Sequence, residues 1–280
     1  MNDKGYVITI IGAGNMGSAI LAGIVREGLT TPENVRTADK HQDRLQELHE
    51  TYGVSTFTDN FKATEGADVV ILCIKPQHLK YVLSDLVNRL PKKTLVISIV
   101  AGVPLAALSE GLNHGCIIRT MPNTPAQIGQ GITVWTATDE VSEHQMELAK
   151  NILLAFGEEV HVTEEHFLDM ATALSGSGPA YVFLFMEAMI DAGVHLGFSR
   201  DISEKLVAQT LRGSVNYYES MKEHPAKMRN DVTSPGGTSA AALYYLEKAG
   251  FRTAIARAIW AAYERSVELG QGQVLRNPEK

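Results

Sequence analysis

Three glycines near the start of the chain have the spacing of a phosphate-binding turn. Gly12, Gly14 and Gly17 form the pattern G-x-G-x-x-G, which follows an apolar, β-branched run and precedes a helix-like segment. In that context the first glycine permits a tight turn, the second lets a pyrophosphate approach the backbone, and the third lets the helix pack against the strand. The free N–H groups at the helix start would then hold the anion. The segment therefore predicts a dinucleotide-binding turn, and the alternative is a glycine-rich turn without a ligand.

The residue that ends the second predicted strand bears on the choice of dinucleotide. Asp39 lies about 20 residues after the glycine pattern, where a carboxylate holds a ribose 2′-hydroxyl and favours NAD. Lys40, His41 and Arg44 follow, and these cations could instead accommodate the 2′-phosphate of NADP. Both dinucleotides stay open at this point, and solvated residues at a helix start are the third interpretation.

Two further segments end apolar strands and therefore belong at the carboxyl edge of a sheet, where open α/β folds bind ligands. Lys75 follows the continuous apolar run 67–74, and the segment 121–125 (M-P-N-T-P) follows another strand. Its two prolines make a stiff turn that can aim Asn123 or Thr124 into the crevice. Both segments predict contacts with the dinucleotide; the alternatives are a surface lysine and a rigid connector.

Two segments rich in small residues precede helices in the second half of the chain. They are 174–181 (L-S-G-S-G-P-A-Y) and 234–239 (S-P-G-G-T-S). Each can bring backbone N–H groups and hydroxyls to an anion, so together they predict a substrate that carries a carboxylate. The alternative is ordinary capping and turn chemistry.

The sequence contains no spacing typical of a catalytic metal site or of a hydrolytic triad. None of the nine histidines forms H-x-x-H or H-E-x-x-H, and Cys73 and Cys116 do not form C-x-x-C. Each cysteine lies in an apolar run and is expected to be a small buried residue. We therefore expect no metal ion.

The elements that must position these residues alternate in the first half. Apolar strands are predicted at 6–11, 35–39, 67–74, 95–101, 116–120 and 132–138, and helices at 15–28, 41–52, 77–90 and 142–156. Such alternation predicts an α/β domain with a parallel, doubly wound sheet and right-handed crossovers.

After about residue 163 the pattern becomes helical, with helices predicted at 179–197, 199–221, 238–249 and 251–269. This change predicts a dinucleotide-binding domain at 1–163 and an all-α domain at 164–280. The segment 181–186 is apolar on all sides, as in a helix that is buried all round. We expect a second subunit to cover it, and the alternative is cover by the first domain.

Composition narrows the range of partners. The hydrophobic share of 45% and the charged share of 20% are those of a folded protein rather than a disordered one. A net charge of −7 without basic runs makes nucleic acid an improbable partner. The N-terminus lacks the regions of a signal peptide, and no apolar stretch approaches the length needed to span a bilayer. We therefore expect a cytoplasmic protein without a membrane partner.

Five motifs, taken in order, resemble those of the pyrroline-5-carboxylate reductase family. They are G-A-G-N-M-G at 12–17, I-K-P at 74–76, M-P-N-T-P at 121–125, L-S-G-S-G-P-A-Y at 174–181 and S-P-G-G-T-S at 234–239. The resemblance implies reduction of the cyclic imine 1-pyrroline-5-carboxylate to proline with NADPH, or NADH as the alternative. It also implies a Rossmann domain followed by a helical domain that interlocks into a dimer, with decamers as a further assembly and an active site completed across the dimer.

The motifs and the resemblance together name the expected site residues. Those expected to contact the cofactor are Gly12, Gly14, Asn15, Met16, Gly17, Asp39, Lys40, Asn60, Ile74, Lys75, Pro76, Met121 and Asn123. Those expected to bind the substrate are Ser177, Ser234, Gly236, Gly237, Thr238 and Ser239. Thr238 and Ser239 are the expected catalytic residues, with a hydroxyl near the ring nitrogen. Position 239 is serine where relatives carry threonine, so the hydroxyl is kept and the methyl that stiffens its rotamer is lost.

Two other functions would need sequence features different from those found here. A dehydrogenase of the 3-hydroxyacid type would carry a catalytic lysine a few residues into the helix after a G-x-G turn. Here that turn is 176–178, and 181–186 contains no lysine. A non-catalytic NADP-sensing regulator would keep the phosphate turn but would need no substrate loop at 234–239.

Overall fold

The apolar runs of the first half form one eight-stranded sheet in the computed structural model, which describes residues 5–270. The strands are β1 (Ile8–Ile11), β2 (Val35–Ala38), β3 (Ser55–Phe57), β4 (Val69–Leu72), β5 (Leu95–Ser98), β6 (Ile117–Met121), β7 (Gly131–Ala137) and β8 (Gly157–His161). Their order is β3-β2-β1-β4-β5-β6-β7-β8. The chain winds away from β1 in both directions, so the carboxyl ends of β1 and β4 flank the crevice where such sheets bind dinucleotides.

The sheet is predominantly parallel, as predicted, and β7 departs from that pattern. That strand runs antiparallel to β6, and β8 then pairs parallel to β7. The link between β6 and β7 holds only a 3₁₀ turn, Thr124–Ile128, and a parallel crossover needs a dozen residues or more. The edge strands β3 and β8 were not predicted, because β3 is short and β8 is largely polar.

The first six helices alternate with strands and cover both faces of the sheet. After β8, the described residues form helices without further strands. They are α1 (Asn15–Arg26), α2 (Gln42–Tyr52), α3 (Asn60–Thr64), α4 (Leu79–Leu86), α5 (Leu105–Leu112), α6 (Glu143–Leu154), α7 (Phe167–Ala171), α8 (Gly178–His195), α9 (Arg200–Met221), α10 (Pro225–Asp231), α11 (Thr238–Lys248) and α12 (Phe251–Gly270). Helix α4 ends earlier than predicted, shortly before Asn88, which adopts a left-handed conformation at φ +60°. The short helices α3, α5, α7 and α10 were not predicted.

The core forms two layers, one on each face of the sheet. Ile10 of β1 packs in the layer that contains Ile20 and Ile24 of α1, whereas Ile11 packs in the layer that contains Val82 of α4. This division follows from the alternation of side chains along a strand. The expected order of an α/β Rossmann-like domain followed by helices is confirmed.

The described chain divides into two compact units, and the division differs from the expected boundary at 163/164. Gly178–Ala261 forms one unit, and the remainder, including the last residues of α12, forms the other. Helix α7 stays with the sheet because Leu168 and Ala171 are buried and because Arg119 of β6 pairs with Asp169. The hydroxyl of Ser266 also donates to Asp169, which holds the end of α12 in the same unit.

The apolar helix α8 lies open in the single chain. Val182, Phe183 and Leu184 are at least half exposed, and no residue of α8 is buried. Within its own unit, the helix therefore leaves these three side chains uncovered. The helical stretch Phe167–His195 is also long and apolar enough to cross a membrane, by length and composition alone. That finding corrects the expectation that the chain has no apolar stretch of such length.

Candidate active site

Gly12 and Gly17 are required by the fold of the phosphate turn. Gly12 adopts φ +105°, which side chains rarely adopt, and its N–H donates to the carbonyl of Ala38 at 2.7 Å. A Cβ at Gly12 would collide with the carbonyl oxygen of Cys73, and a Cβ at Gly17 would collide with that of Gly12. The two glycines therefore allow β1, β4 and α1 to approach one another closely.

Gly14 has a different environment. Its backbone is extended, and a Cβ built there would meet no atom within 4 Å. It is the N-cap of α1, and no side chain caps that helix, so the first N–H groups of α1 stay available. Open space in front of uncapped N–H groups fits a pyrophosphate, and Asn15 and Met16 begin the helix at this point.

Asp39 connects the end of β2 to the phosphate turn. One carboxylate oxygen accepts the N–H of Ala13 at 2.8 Å, and the other accepts the N–H of His41 at 2.9 Å. No local pattern in the sequence indicates this structural role. Lys40 and Arg44 are exposed, and the structure records no ion pair for either within residues 5–270.

The segments after β4 and β6 meet the phosphate turn at the same edge of the sheet. Ile74 lies next to Gly12, and Lys75 is exposed and precedes the 3₁₀ turn Pro76–His78. Met121 ends β6, and the side-chain oxygen of Asn123 accepts the N–H of Ile132 at 3.0 Å. The NH₂ group of Asn123 keeps its two donors for a ligand.

Asn60 begins α3, beyond the end of β3. Its side-chain nitrogen donates to Asp85 at 2.9 Å, so one of its donors already serves a contact with α4. Its carbonyl oxygen stays available for the ribose contact that the resemblance implies.

A groove of about 410 Å³ lies beside the phosphate turn, between α1, α2 and the turn after β6. Ala13, Asn15, Arg44 and Gln127 belong to its lining. Gln127 was not predicted to lie here, because no local pattern in the sequence marks a residue that another element brings next to the glycine turn.

The segment 234–239 forms a tight turn and the start of α11 in the second unit. The N–H of Gly237 donates to the carbonyl of Ser234 at 3.1 Å, and Gly236 adopts φ +71°, so 234–237 is a tight turn. Gly237 is the N-cap of α11 and supplies no side-chain cap. The first N–H groups of α11 are therefore open, and Thr238 and Ser239 add hydroxyls there.

The segment 174–178 does not form the predicted loop. Thr172–Gly176 forms a π-helical turn between α7 and α8, closed by a hydrogen bond of 2.8 Å from the N–H of Ser177 to the carbonyl of Thr172. The hydroxyl of Ser175 donates to the carbonyl of Ala171 at 3.0 Å. π-Helical turns are frequent at functional sites, and Ser177 is the small polar residue at its end.

Neither cysteine is placed for chemistry. Burial raises the pKa of the Cys73 thiol, which lies under the phosphate turn, and burial also raises the pKa of Cys116. A raised pKa leaves less of the nucleophilic thiolate. Among residues 5–270, no group of His, Cys, Asp or Glu side chains is arranged to hold a metal ion.

Comparisons with known proteins agree with this arrangement. Residues 165–269 match the family model described as pyrroline-5-carboxylate reductase dimerisation, and residues 7–102 match one described as NADP oxidoreductase coenzyme F420-dependent. A pyrroline-5-carboxylate reductase from Synechocystis is 44% identical over 262 residues, covering 94% of this chain and 97% of the relative.

Two solved structures extend the similarity. The pyrroline-5-carboxylate reductase from Coxiella burnetii is 36% identical, with a TM-score of 0.85 over 94% of this chain and 98% of the other. The pyrroline carboxylate reductase from Plasmodium falciparum, solved with NADP bound, is 31% identical, with a TM-score of 0.87 over 95% and 99%. With this identity over nearly the whole length, a dinucleotide turn and a helical second unit, the chain belongs to the pyrroline-5-carboxylate reductase family.

Proposed function

We propose that this protein reduces 1-pyrroline-5-carboxylate to L-proline by hydride transfer from NAD(P)H. The observation that carries the proposal is the open N-terminus of α11, where Thr238 and Ser239 place hydroxyls beside unpaired backbone donors. A substrate with a carboxylate next to a ring nitrogen needs that combination. Family membership supplies the identity of the substrate.

The cofactor residues of the proposal lie in the first unit. When bound, NAD(P)H supplies the hydride. The N-terminus of α1 would hold the pyrophosphate, with Gly14 leaving room for it. Lys75, Pro76 and Asn123 would line the nicotinamide side, and Asp39, Lys40 and Asn60 the adenosine ribose.

The substrate residues of the proposal lie in the second unit, with Ser177 at its border. The backbone N–H groups at the start of α11 would hold the carboxylate, because the helix dipole favours an anion there. Ser234 shapes the turn, since its hydroxyl lies where a Cβ of Gly237 would be. A protonated imine is already electrophilic, so the hydroxyl of Ser239 or Thr238 need only hydrogen-bond the ring nitrogen as it becomes an amine.

Self-association follows from the dimerisation match over 165–269. We propose an interlocked dimer, in which a second copy covers the apolar side chains of α8, and assembly of dimers into decamers. Burial against a second copy would also explain why the helical stretch Phe167–His195 is so apolar, without placing it in a membrane. A soluble, cytoplasmic protein agrees with two free thiols and with a net charge of −7, which also disfavours nucleic acid.

The test is a steady-state assay of NADPH and NADH oxidation with and without 1-pyrroline-5-carboxylate, with proline identified by mass spectrometry. We expect oxidation that depends on the imine and an equal yield of proline. Tight cofactor binding without imine-dependent oxidation would instead favour a non-catalytic sensor of the dinucleotide.

A further inference from the structure

A charged residue lies among the buried side chains of strand β6. Arg119 is buried, and one guanidinium nitrogen donates to Glu165 at 2.8 Å while the other donates to Asp169 at 3.2 Å. The same oxygen of Glu165 accepts the N–H of Leu105 at 2.7 Å, and the same oxygen of Asp169 accepts the hydroxyl of Ser266 at 2.8 Å. The two carboxylates that pair with this guanidinium thus also bind α5, through Leu105, and α12, through Ser266.

A second contact joins the same strand to the π-helical turn. Arg119 and Met121 are two residues apart, so both side chains leave β6 on the same face. A Cβ built at Gly176 would lie 2.8 Å from the terminal methyl of Met121. Arg119 therefore fixes the chain before the π-helical turn through its ion pair with Asp169. Met121 contacts the last residue of the turn, Gly176.

A π-helical turn can keep its extra residue or convert to ordinary α-helical spacing. If it took up ordinary α-helical spacing, the extra residue would be absorbed and every following side chain would rotate by about 100° about the helix axis. The first side chain affected beyond Gly176 is that of Ser177. The contacts at Asp169 and Gly176, one on each side of the extra residue, oppose that shift.

We infer that Arg119 is a positioning residue, whose ion pairs with Asp169 and Glu165 hold the π-helical turn in the register that directs Ser177 to the substrate. The inference rests on the proposed function for Ser177 as a substrate contact. Arg119 acts through the turn and is assigned no contact with the cofactor. An ion pair suits this role because its fixed geometry specifies one register, whereas an apolar contact can slide.

Three variants test the inference. Arg119→Met removes the guanidinium and leaves two carboxylates unpaired, so it will also destabilise the fold. Asp169→Asn is milder, because the amide oxygen still accepts from Ser266. Arg36→Met is the matched control: Arg36 lies in β2 and donates to the carbonyls of Ala63 and Glu65, away from the π-helical turn.

Hydrogen exchange at 172–178 reports how often the turn opens, because the N–H of Ser177 closes the turn on the carbonyl of Thr172. We expect about tenfold faster exchange in this segment for Arg119→Met and a smaller change for Asp169→Asn, with no change for Arg36→Met. Kinetics at a temperature where every variant is folded should show KM for the imine raised by about tenfold in Arg119→Met, with the Kd for NADPH within twofold of the wild type.

The inference is overturned if Arg119→Met and Asp169→Asn change exchange at 172–178 and KM no more than Arg36→Met does. It is also overturned if exchange rises while KM for the imine stays at the wild-type value, since the register would then not direct Ser177. A wild-type protein without imine-dependent oxidation would refute the proposed function and the substrate role of Ser177 together. In that case the exchange data would still show whether Arg119 holds the turn.

Discussion

At the residue scale, the three glycines of the phosphate turn serve different purposes. Gly12 and Gly17 are needed by packing, whereas Gly14 faces open space. A substitution at Gly14 therefore tests ligand binding with little effect on the fold, which a change at either neighbour would not allow.

Gly14→Val should lower NADPH affinity at least about tenfold, equivalent to ~1.4 kcal/mol, because the branched side chain occupies the space assigned to the pyrophosphate. Fluorescence titration measures the affinity, and thermal unfolding should give a Tm close to that of the wild type. Gly12→Ala is the contrasting control and should lower Tm, since its Cβ meets the backbone. An unchanged titration in folded Gly14→Val would refute the assignment of this turn.

Asp39 combines a structural contact with a predicted role in cofactor choice. Its carboxylate accepts the N–H of Ala13, and a 2′-phosphate beside the same carboxylate would be repelled. Asp39→Ser should shift the ratio of kcat/KM for NADPH over NADH upward by about tenfold, or ~1.4 kcal/mol. It should also weaken the binding of both dinucleotides, because the phosphate turn loses a hydrogen bond.

Asp39→Asn separates the two effects. The amide oxygen can still accept from one backbone N–H while the charge is gone, so the ratio should shift with a smaller loss of affinity. If the ratio of the two kcat/KM values stays the same in both variants, Asp39 does not face the ribose.

At the element scale, the start of α11 combines backbone donors with two hydroxyls. Replacing both Thr238 and Ser239 by Ala keeps the donors and removes the hydroxyls. We expect kcat/KM to fall by about one to two orders of magnitude, since a hydrogen bond to a charged group contributes roughly 1.5–3 kcal/mol. The Kd for NADPH should change little, because the phosphate turn belongs to the other unit.

The control for this double variant is Ser214→Ala on α9, whose hydroxyl donates to the carbonyl of Thr210 within the same helix. It removes a hydroxyl from the same unit without touching the substrate loop, and steady-state kinetics should show wild-type kcat/KM. If kcat/KM fell equally in the double variant and in Ser214→Ala, the hydroxyls of α11 would act through the stability of the fold and not through contact with the substrate.

At the scale of the whole molecule, the proposed dimer places cofactor and substrate residues on different subunits. A mixture of Gly14→Val with the Thr238→Ala, Ser239→Ala double variant tests this arrangement. If one subunit supplies the cofactor and its partner supplies the loop, each hetero-dimer contains one intact site. Random mixing of dimers should then restore about a quarter of the wild-type sites.

Native mass spectrometry must show that hetero-dimers have formed, and the same measurement reports whether dimers assemble into decamers. Activity should rise with the hetero-dimer fraction. If hetero-dimers are present and activity does not recover, cofactor and loop act within one chain.

Much of the fold was predictable because the signals are local. The apolar runs predicted β1, β4, β5 and β6, the glycine spacing predicted the phosphate turn, and the motif at 234–239 predicted a helix start with open donors. Each of these depends on residues close together in the sequence, where periodicity and backbone preference act directly. The meeting of 12–17, 74–76 and 121–123 at one sheet edge then followed from strand order.

Only the tertiary structure decided how distant residues meet. The antiparallel pairing of β7, the bond from Ala13 to Asp39, and the return of the end of α12 to the first unit through Ser266 all join residues far apart in sequence. The same holds for Arg119, whose partners Glu165 and Asp169 lie 46 and 50 residues away in the sequence. By itself the sequence determined the dinucleotide turn, the alternation of elements and the family. The boundary between units, the π-helical register before Ser177 and the exposure of α8 depend on long-range packing, which no local pattern encodes.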